Sequence, residues 1–163
     1  MQRLLVVEDD NSVRDTITTF LELEGYRVDA VSSTREALER LRNDAYPIVI
    51  SDIYLDERTG LDVLETARQK NPKCAVILMT ARGTMETVMQ ATQGGAFDYI
   101  AKPFELDRML DTVKRAEATL DEHKEEKESE IDDLPASEMI GSSSRMIEIY
   151  KTLPRALRYT PKA

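Results

Sequence analysis

An α/β fold built on a five-stranded parallel sheet is what this sequence predicts, and three observations predict it. Short apolar runs, many of them β-branched, alternate five times with amphipathic stretches in the first 120 residues. The runs are near-continuously apolar, as strands covered by helices on both faces must be. The span of about 120 residues is the size of one such domain.

LLVV (4–7) is the first strand. The helix over 12–24 sets Val13, Ile17, Phe20 and Leu21 on one face and stops before Gly25. YRVDAV (26–31) is the second strand, and Ser33-Thr34-Arg35-Glu36 is a capping-box pattern opening a helix with Ala37, Leu38 and Leu41. IVI (48–50) leads to Asp52 at the end of the third strand. A helix follows Gly60 with Leu61, Val63, Leu64 and Ala67 and ends by Pro72. AVILM (75–79) is the fourth strand, a helix runs from about residue 84 to Gly94-Gly95, DYIA (98–101) is the fifth strand, and the last helix starts near Glu105. The sum is a flavodoxin-like, doubly wound parallel sheet in the order 2-1-3-4-5 with helices on both faces.

The fifth helix does not stop where the domain should. Leu106, Leu110, Val113 and Leu120 form its stripe, widened by Met109 and Ala116. DEHKEEKESEIDD (121–133) then carries eight acidic residues against two lysines. Two readings stay open for it: a solvated charged linker, or a helix prolonged into a short two-chain coiled coil. Leu134-Pro135-Ala136-Ser137 breaks any helix. The expected organisation is a domain over 1–120, a charged linker over 121–138 and a separate segment over 139–163.

Composition excludes several classes of function. The 163 residues are 41% hydrophobic with a net charge of −9, and no basic stripe exists to neutralise phosphates, so direct nucleic-acid binding is not expected. No apolar run approaches the roughly 18 residues of a membrane span. MQRLLVVEDD lacks the order of a signal peptide. The single cysteine, Cys74, lies in an apolar run and reads as a core residue, so a reducing, cytoplasmic setting is expected.

Why a buried-looking strand should end on a lone carboxylate, Asp52, is the informative question. Ligands of an open parallel sheet bind outside the strands' carboxyl ends, where the strand order reverses, between strands 1 and 3. Strand 1 ends in Glu8, Asp9 and Asp10, and strand 3 in Asp52. Carboxylates held together repel, so a cation belongs between them. An all-oxygen set without Cys, and with the only histidine (His123) far away, suits hard Mg²⁺. The plainer reading makes these acids loop and helix caps, a task for Asp10 or Asn11. Thr80 ends strand 4 with a hydroxyl and Lys102 ends strand 5 with an ammonium. Pro103 sets the turn after Lys102, in a trans or a cis bond.

With VVEDD, SD, MTA and KPF at these spacings, residues 1–120 closely resemble the receiver domain of bacterial response regulators. The resemblance implies that Asp52 accepts a phosphoryl group from a sensor histidine kinase. It implies that Glu8, Asp9, Asp52 and the backbone carbonyl of Tyr54 hold Mg²⁺, that Thr80 and Lys102 contact the phosphoryl oxygens, and that Tyr99 is an aromatic switch. Tyr54 and Arg82 occupy the positions that tune dephosphorylation, where a bulky ring and a long cation would obstruct water and prolong the phosphoryl state. Two positions depart from the commoner pattern: Glu8 replaces an aspartate, and Asp56 stands where a proline is frequent.

MIGSSSRMIEIYKTLPRALR (139–158) reads as a Gly-Ser turn and an amphipathic helix with Met146, Ile147, Ile149, Tyr150 and Leu153. It resembles the opening of the AAA+ ATPase domain of sigma-54-dependent activators of the NtrC type, although no phosphate-binding G-x-x-x-x-G-K-[ST] occurs. The expectation is therefore the regulatory part of such an activator, a homodimer controlling an ATPase domain that works with sigma-54 polymerase, and not an enzyme on a separate substrate. Two other classes compete: a phosphorylation-independent binding module, and a haloacid-dehalogenase-type phosphotransferase, which would want an aspartate where Tyr54 stands.

Overall fold

The computed structural model describes residues 2–55 and 58–132, with side chains as far as residue 125. The elements run β1 (Arg3–Val7), α1 (Asn11–Leu23), β2 (Arg27–Val31), α2 (Thr34–Asn43), β3 (Ile48–Asp52), α3 (Gly60–Lys70), β4 (Ala75–Thr80), α4 (Met85–Gln93), β5 (Asp98–Ala101) and α5 (Leu106–Asp132). The strands pair in parallel in the order β2-β1-β3-β4-β5, the predicted topology. The residues up to Glu122 form one compact unit. The proline-containing break at 134–137, the predicted turn and helix over 139–158, and Asp56 lie outside the described residues.

Alternate strand residues serve two different helix layers, because side chains leave a strand with a period of two. Leu5, Val7, Val49, Val76 and Leu78 pack with Ala37 and Leu41 of α2, Val63, Leu64 and Ala67 of α3, and Ala91 of α4. Leu4, Val6, Ile48, Ile50, Ile77 and Met79 pack with Ile17 and Leu21 of α1 and Met109, Val113 and Ala116 of α5. Each such Leu, Ile or Val contributes about 1.5–3 kcal/mol by leaving water. Cys74 sits in the first layer, and burial pushes its thiol pKa up to about 12 against the nearby Arg68 charge.

Helix starts follow capping chemistry. Of the two candidates ahead of α1, Asp10 is the cap: its carboxylate accepts the Val13 N–H at 3.0 Å. Ser33 caps α2 by accepting the Glu36 N–H at 3.2 Å. The second half of the predicted box takes another partner, since Glu36 Oε1 accepts from Ser32 Oγ at 3.4 Å. Gly25 turns the chain after α1 at φ +96°, a conformation that side chains with a Cβ rarely adopt.

Candidate functional site

The register of the sheet places the carboxylates. Val7 lies beside Ser51, so Glu8 and Asp52 leave β1 and β3 at the same height. The Glu8 N–H donates to Val31 carbonyl oxygen at 3.1 Å, carrying the β1 pairing one residue past the strand. Gly60 opens α3 directly against the end of β3. A Cβ there would overlap the Asp52 carbonyl oxygen, and its N–H donates to Ile53 carbonyl oxygen at 2.7 Å. On the other side the Lys102 N–H donates to the Thr80 carbonyl at 2.7 Å, and the Lys102–Pro103 peptide is cis.

Four predicted residues meet at this edge. Glu8, Asp9 and Asp52 each offer a carboxylate oxygen within 4.8 Å of the others. Lys102 Nζ reaches across to Glu8 Oε2 and Asp52 Oδ2, both at 2.6 Å. The two remaining oxygens accept backbone N–H groups: Asp52 Oδ1 from Tyr54 at 3.1 Å and Glu8 Oε1 from Asp10 at 3.1 Å. Glu8 is 1% exposed and Asp52 6%, whereas Asp9 stands in solvent.

The charges do not balance. Three carboxylates meet one ammonium, and burial falls hardest on Glu8. Burial raises the Glu8 pKa, outweighing the Lys102 and Asp10 hydrogen bonds that lower it. Burial also works against the Lys102 ammonium, but hydrogen bonds to Asp52 and Glu8 prevail and hold its pKa above the ordinary value. The cleft can therefore take a further hard cation: its donors are all oxygens, they converge from two strands, and one acid is open to solvent.

The side chains of the other predicted residues flank this cluster, which only the Tyr54 backbone joins. The Thr80 hydroxyl accepts the Arg82 N–H at 3.1 Å. Arg82 points to solvent. Tyr54 is 45% exposed, and its hydroxyl turns away from the carboxylates to the Arg82 carbonyl (3.4 Å) and the Thr87 hydroxyl (3.3 Å). Tyr99 is half-buried against the layer of α2, α3 and α4. A groove of about 710 Å³ along α3 and α4, lined by Leu64, Arg68 and Gln90, holds none of these groups.

Sequence reasoning missed three features. The Lys102–Glu8 contact joins residues 94 apart, and nothing local signals it. Gly60 looked only like a helix start, although a glycine opening a helix after a loop is a cue to close backbone approach. Thr84 and Thr87, spaced as an N-cap and its third residue, carried a second usable signal: Thr84 accepts the Thr87 N–H at 3.2 Å.

Comparison with known proteins agrees with this geometry. The sequence family described as response regulator receiver domain matches residues 4–114. The chain is 32% identical over 153 residues to the DNA-binding transcriptional regulator NtrC of Proteus hauseri, covering 94% of this chain and 32% of that protein. It is 33% identical over 145 residues to the transcriptional regulatory protein ZraR of Klebsiella oxytoca, covering 88% and 32%. The chain thus spans about a third of the length of these curated relatives. A CheY-like receiver domain protein from Methanospirillum hungatei superposes with a TM-score of 0.71 at 30% identity, covering 77% of this chain and 98% of that one. The beryllofluoride-activated NtrC4 receiver domain dimer gives 0.67 at 31% identity, covering 71% and 96%.

Proposed function

This chain belongs to the response regulator receiver domain family, and from that premise we propose that Asp52 accepts a phosphoryl group from a sensor histidine kinase. A carboxylate oxygen of Asp52 attacks phosphorus, the P–N bond of the phosphohistidine breaks, its electron pair returns to the imidazole, and an acyl phosphate forms. The observation that carries the reading is Lys102 Nζ held 2.6 Å from Asp52 Oδ2 in a cleft with two further acids.

In-line phosphoryl transfer asks mainly for positioning and charge neutralisation. Lys102 would neutralise the incoming oxygens, and the Tyr54 N–H orients the acceptor carboxylate from its other oxygen. Glu8, Asp9, Asp52 and the Tyr54 carbonyl would hold Mg²⁺, which supplies positive charge to the transferred group when bound. The Thr80 hydroxyl would donate to a phosphoryl oxygen once one is there. That contact, absent before phosphorylation, is what biases the two-state equilibrium, with Tyr99 as its switch partner.

Similarity to NtrC and ZraR supports placing this receiver (1–120) ahead of a linker (121–138) and the start of an AAA+ ATPase domain (139–163). Phosphorylation would then govern dimerisation and assembly of a sigma-54-dependent, transcription-activating ATPase in the cytoplasm. The receiver would turn over no separate substrate, and its acidic surface leaves DNA contact to other parts of such a protein.

The test is intact mass after incubation with acetyl phosphate and Mg²⁺, wild type beside Asp52→Asn, with sizing of the same samples. A gain of one phosphoryl group in the wild type alone is expected, with a change in oligomeric state. No gain in either protein would sink the reading.

A further inference from the structure

The Tyr54 hydroxyl belongs to a directed chain of hydrogen bonds that ends on the segment next to Thr80. Tyr54 donates to the Arg82 carbonyl, so its only proton is used and Thr87 must donate to Tyr54. Thr87 then has no proton left for Thr84 Oγ1, 2.8 Å away, so Thr84 is the donor there. The chain therefore runs Thr84 to Thr87 to Tyr54 to the Arg82 carbonyl, every hydroxyl donating once. The Arg82 N–H is meanwhile held by the Thr80 hydroxyl at 3.1 Å.

Arg82 is thus gripped from both sides: by Thr80 at its N–H, and at its carbonyl by the Thr84 N–H at 3.0 Å within the same connection and by Tyr54 from the end of β3. A Thr80 hydroxyl that turns to a phosphoryl group on Asp52 must either drop the Arg82 N–H or drag that residue along. Dragging it breaks the Tyr54 bond. We infer that Tyr54 is a positioning residue that latches the β4–α4 connection in its unphosphorylated arrangement, through Arg82 and the hydroxyls of Thr87 and Thr84. This inference rests on the phospho-acceptor reading of Asp52, and it separates the tyrosine's hydroxyl from its bulk. A ring that merely shields the acyl phosphate from water would act equally well as phenylalanine.

The bonds at 3.3 and 3.4 Å are long and Tyr54 is 45% exposed, so the latch is weak and its effect modest. Removing it should favour the activated state by about fivefold, the worth of one net hydrogen bond. The experiment compares wild type, Tyr54→Phe, Thr87→Val and the double variant, all near-isosteric. Two quantities are read: affinity for beryllofluoride with Mg²⁺, and amide hydrogen exchange over residues 82–88 in metal-free protein. Expected are about fivefold tighter beryllofluoride binding and faster exchange in Tyr54→Phe, a smaller gain in Thr87→Val, which leaves the Tyr54–Arg82 bond in place, and no gain beyond Tyr54→Phe in the double. Equal affinity and exchange in Tyr54→Phe and wild type would overturn the latch, and so would additive effects in the double variant. If wild type and Asp52→Asn bind beryllofluoride alike, or not at all, the phospho-acceptor reading fails instead. The exchange measurement then still decides whether the hydroxyl chain holds the segment.

Discussion

The two ends of the sheet carry similar ingredients arranged to opposite effect. At the amino edge Arg3 bridges Asp29 at 2.6 Å and Asp44 at 3.2 Å. Its guanidinium lies 4.8 Å from the Tyr46 ring centre, and the Tyr46 hydroxyl donates to Asp29 at 2.8 Å. At the carboxyl edge Lys102 bridges Glu8 and Asp52. Each edge has one cation between two carboxylates, yet one is a staple and the other the candidate site. The amino-edge acids keep 22% and 34% of their side chains in water, whereas those of the carboxyl edge keep 1% and 9% and meet a third acid, Asp9. Partial solvation lets one cation hold two acids as a staple; burial with a third acid gives an appetite for cations.

Gly60→Ala breaks the comparison most severely, because it strikes the carboxyl edge through backbone and not charge. The new Cβ meets the Asp52 carbonyl, which cannot swing aside, so denaturant unfolding should show a loss of about 3 kcal/mol. A variant as stable as wild type would mean that α3 can start elsewhere. Next comes Asp29→Ala at the amino edge, which strands the buried Tyr46 hydroxyl and leaves Arg3 with Asp44 as its acid. A loss of about 2 kcal/mol is expected by the same measurement.

The opposite sign is expected at the other edge. Asp9→Asn removes a repelling charge, so in chelator the domain should gain about 1 kcal/mol. Mg²⁺ is expected to raise the Tm of the wild type, and the same variant should lose most of that rise. Loss of stability in chelator would show that Asp9 is a structural acid like Asp29, and the contrast between the edges would dissolve.

The smallest effect is in alkali. Burial first, then the hydrogen bond to Asp29, pushes the Tyr46 pKa up to about 12; burial, then Glu117, does the same for Tyr26. Both folded pKa values lie above the ordinary 10.0, so the stability they carry is intact below pH 10 and falls as pH rises from 10 towards 12. Thermal unfolding across that range should show Tm falling less steeply in Tyr46→Phe. Parallel pH profiles would count against the amino-edge hydroxyl as part of the staple.

Most of the architecture was legible in the chain because it depends on local pattern. Apolar runs bounded by caps and glycines marked the five strands and the first four helices to within a residue or two, and a parallel sheet follows from their alternation; the end of α5, at Asp132, stayed open between a linker and a prolonged helix. The site was legible to the extent that its residues end strands: Glu8, Asp9, Asp52, Thr80 and Lys102 could be placed at one edge by topology alone. Partnership was not. Whether Asp10 or Asn11 capped α1 turned on which side chain reached Val13 N–H. Nothing local signals that the Tyr54 hydroxyl lies against Arg82 and Thr87.

By itself, then, the sequence determined the fold class, the strand order and the set of groups delivered to the carboxyl edge, since each follows from periodicity and from where an apolar run stops. Only the tertiary structure decided that Lys102 rests between Glu8 and Asp52, that Gly60 lies against the Asp52 carbonyl, and that Arg82 is held between Thr80 and Tyr54. Those contacts join residues many positions apart, and their distances are set by sheet register and helix packing, which no local pattern encodes.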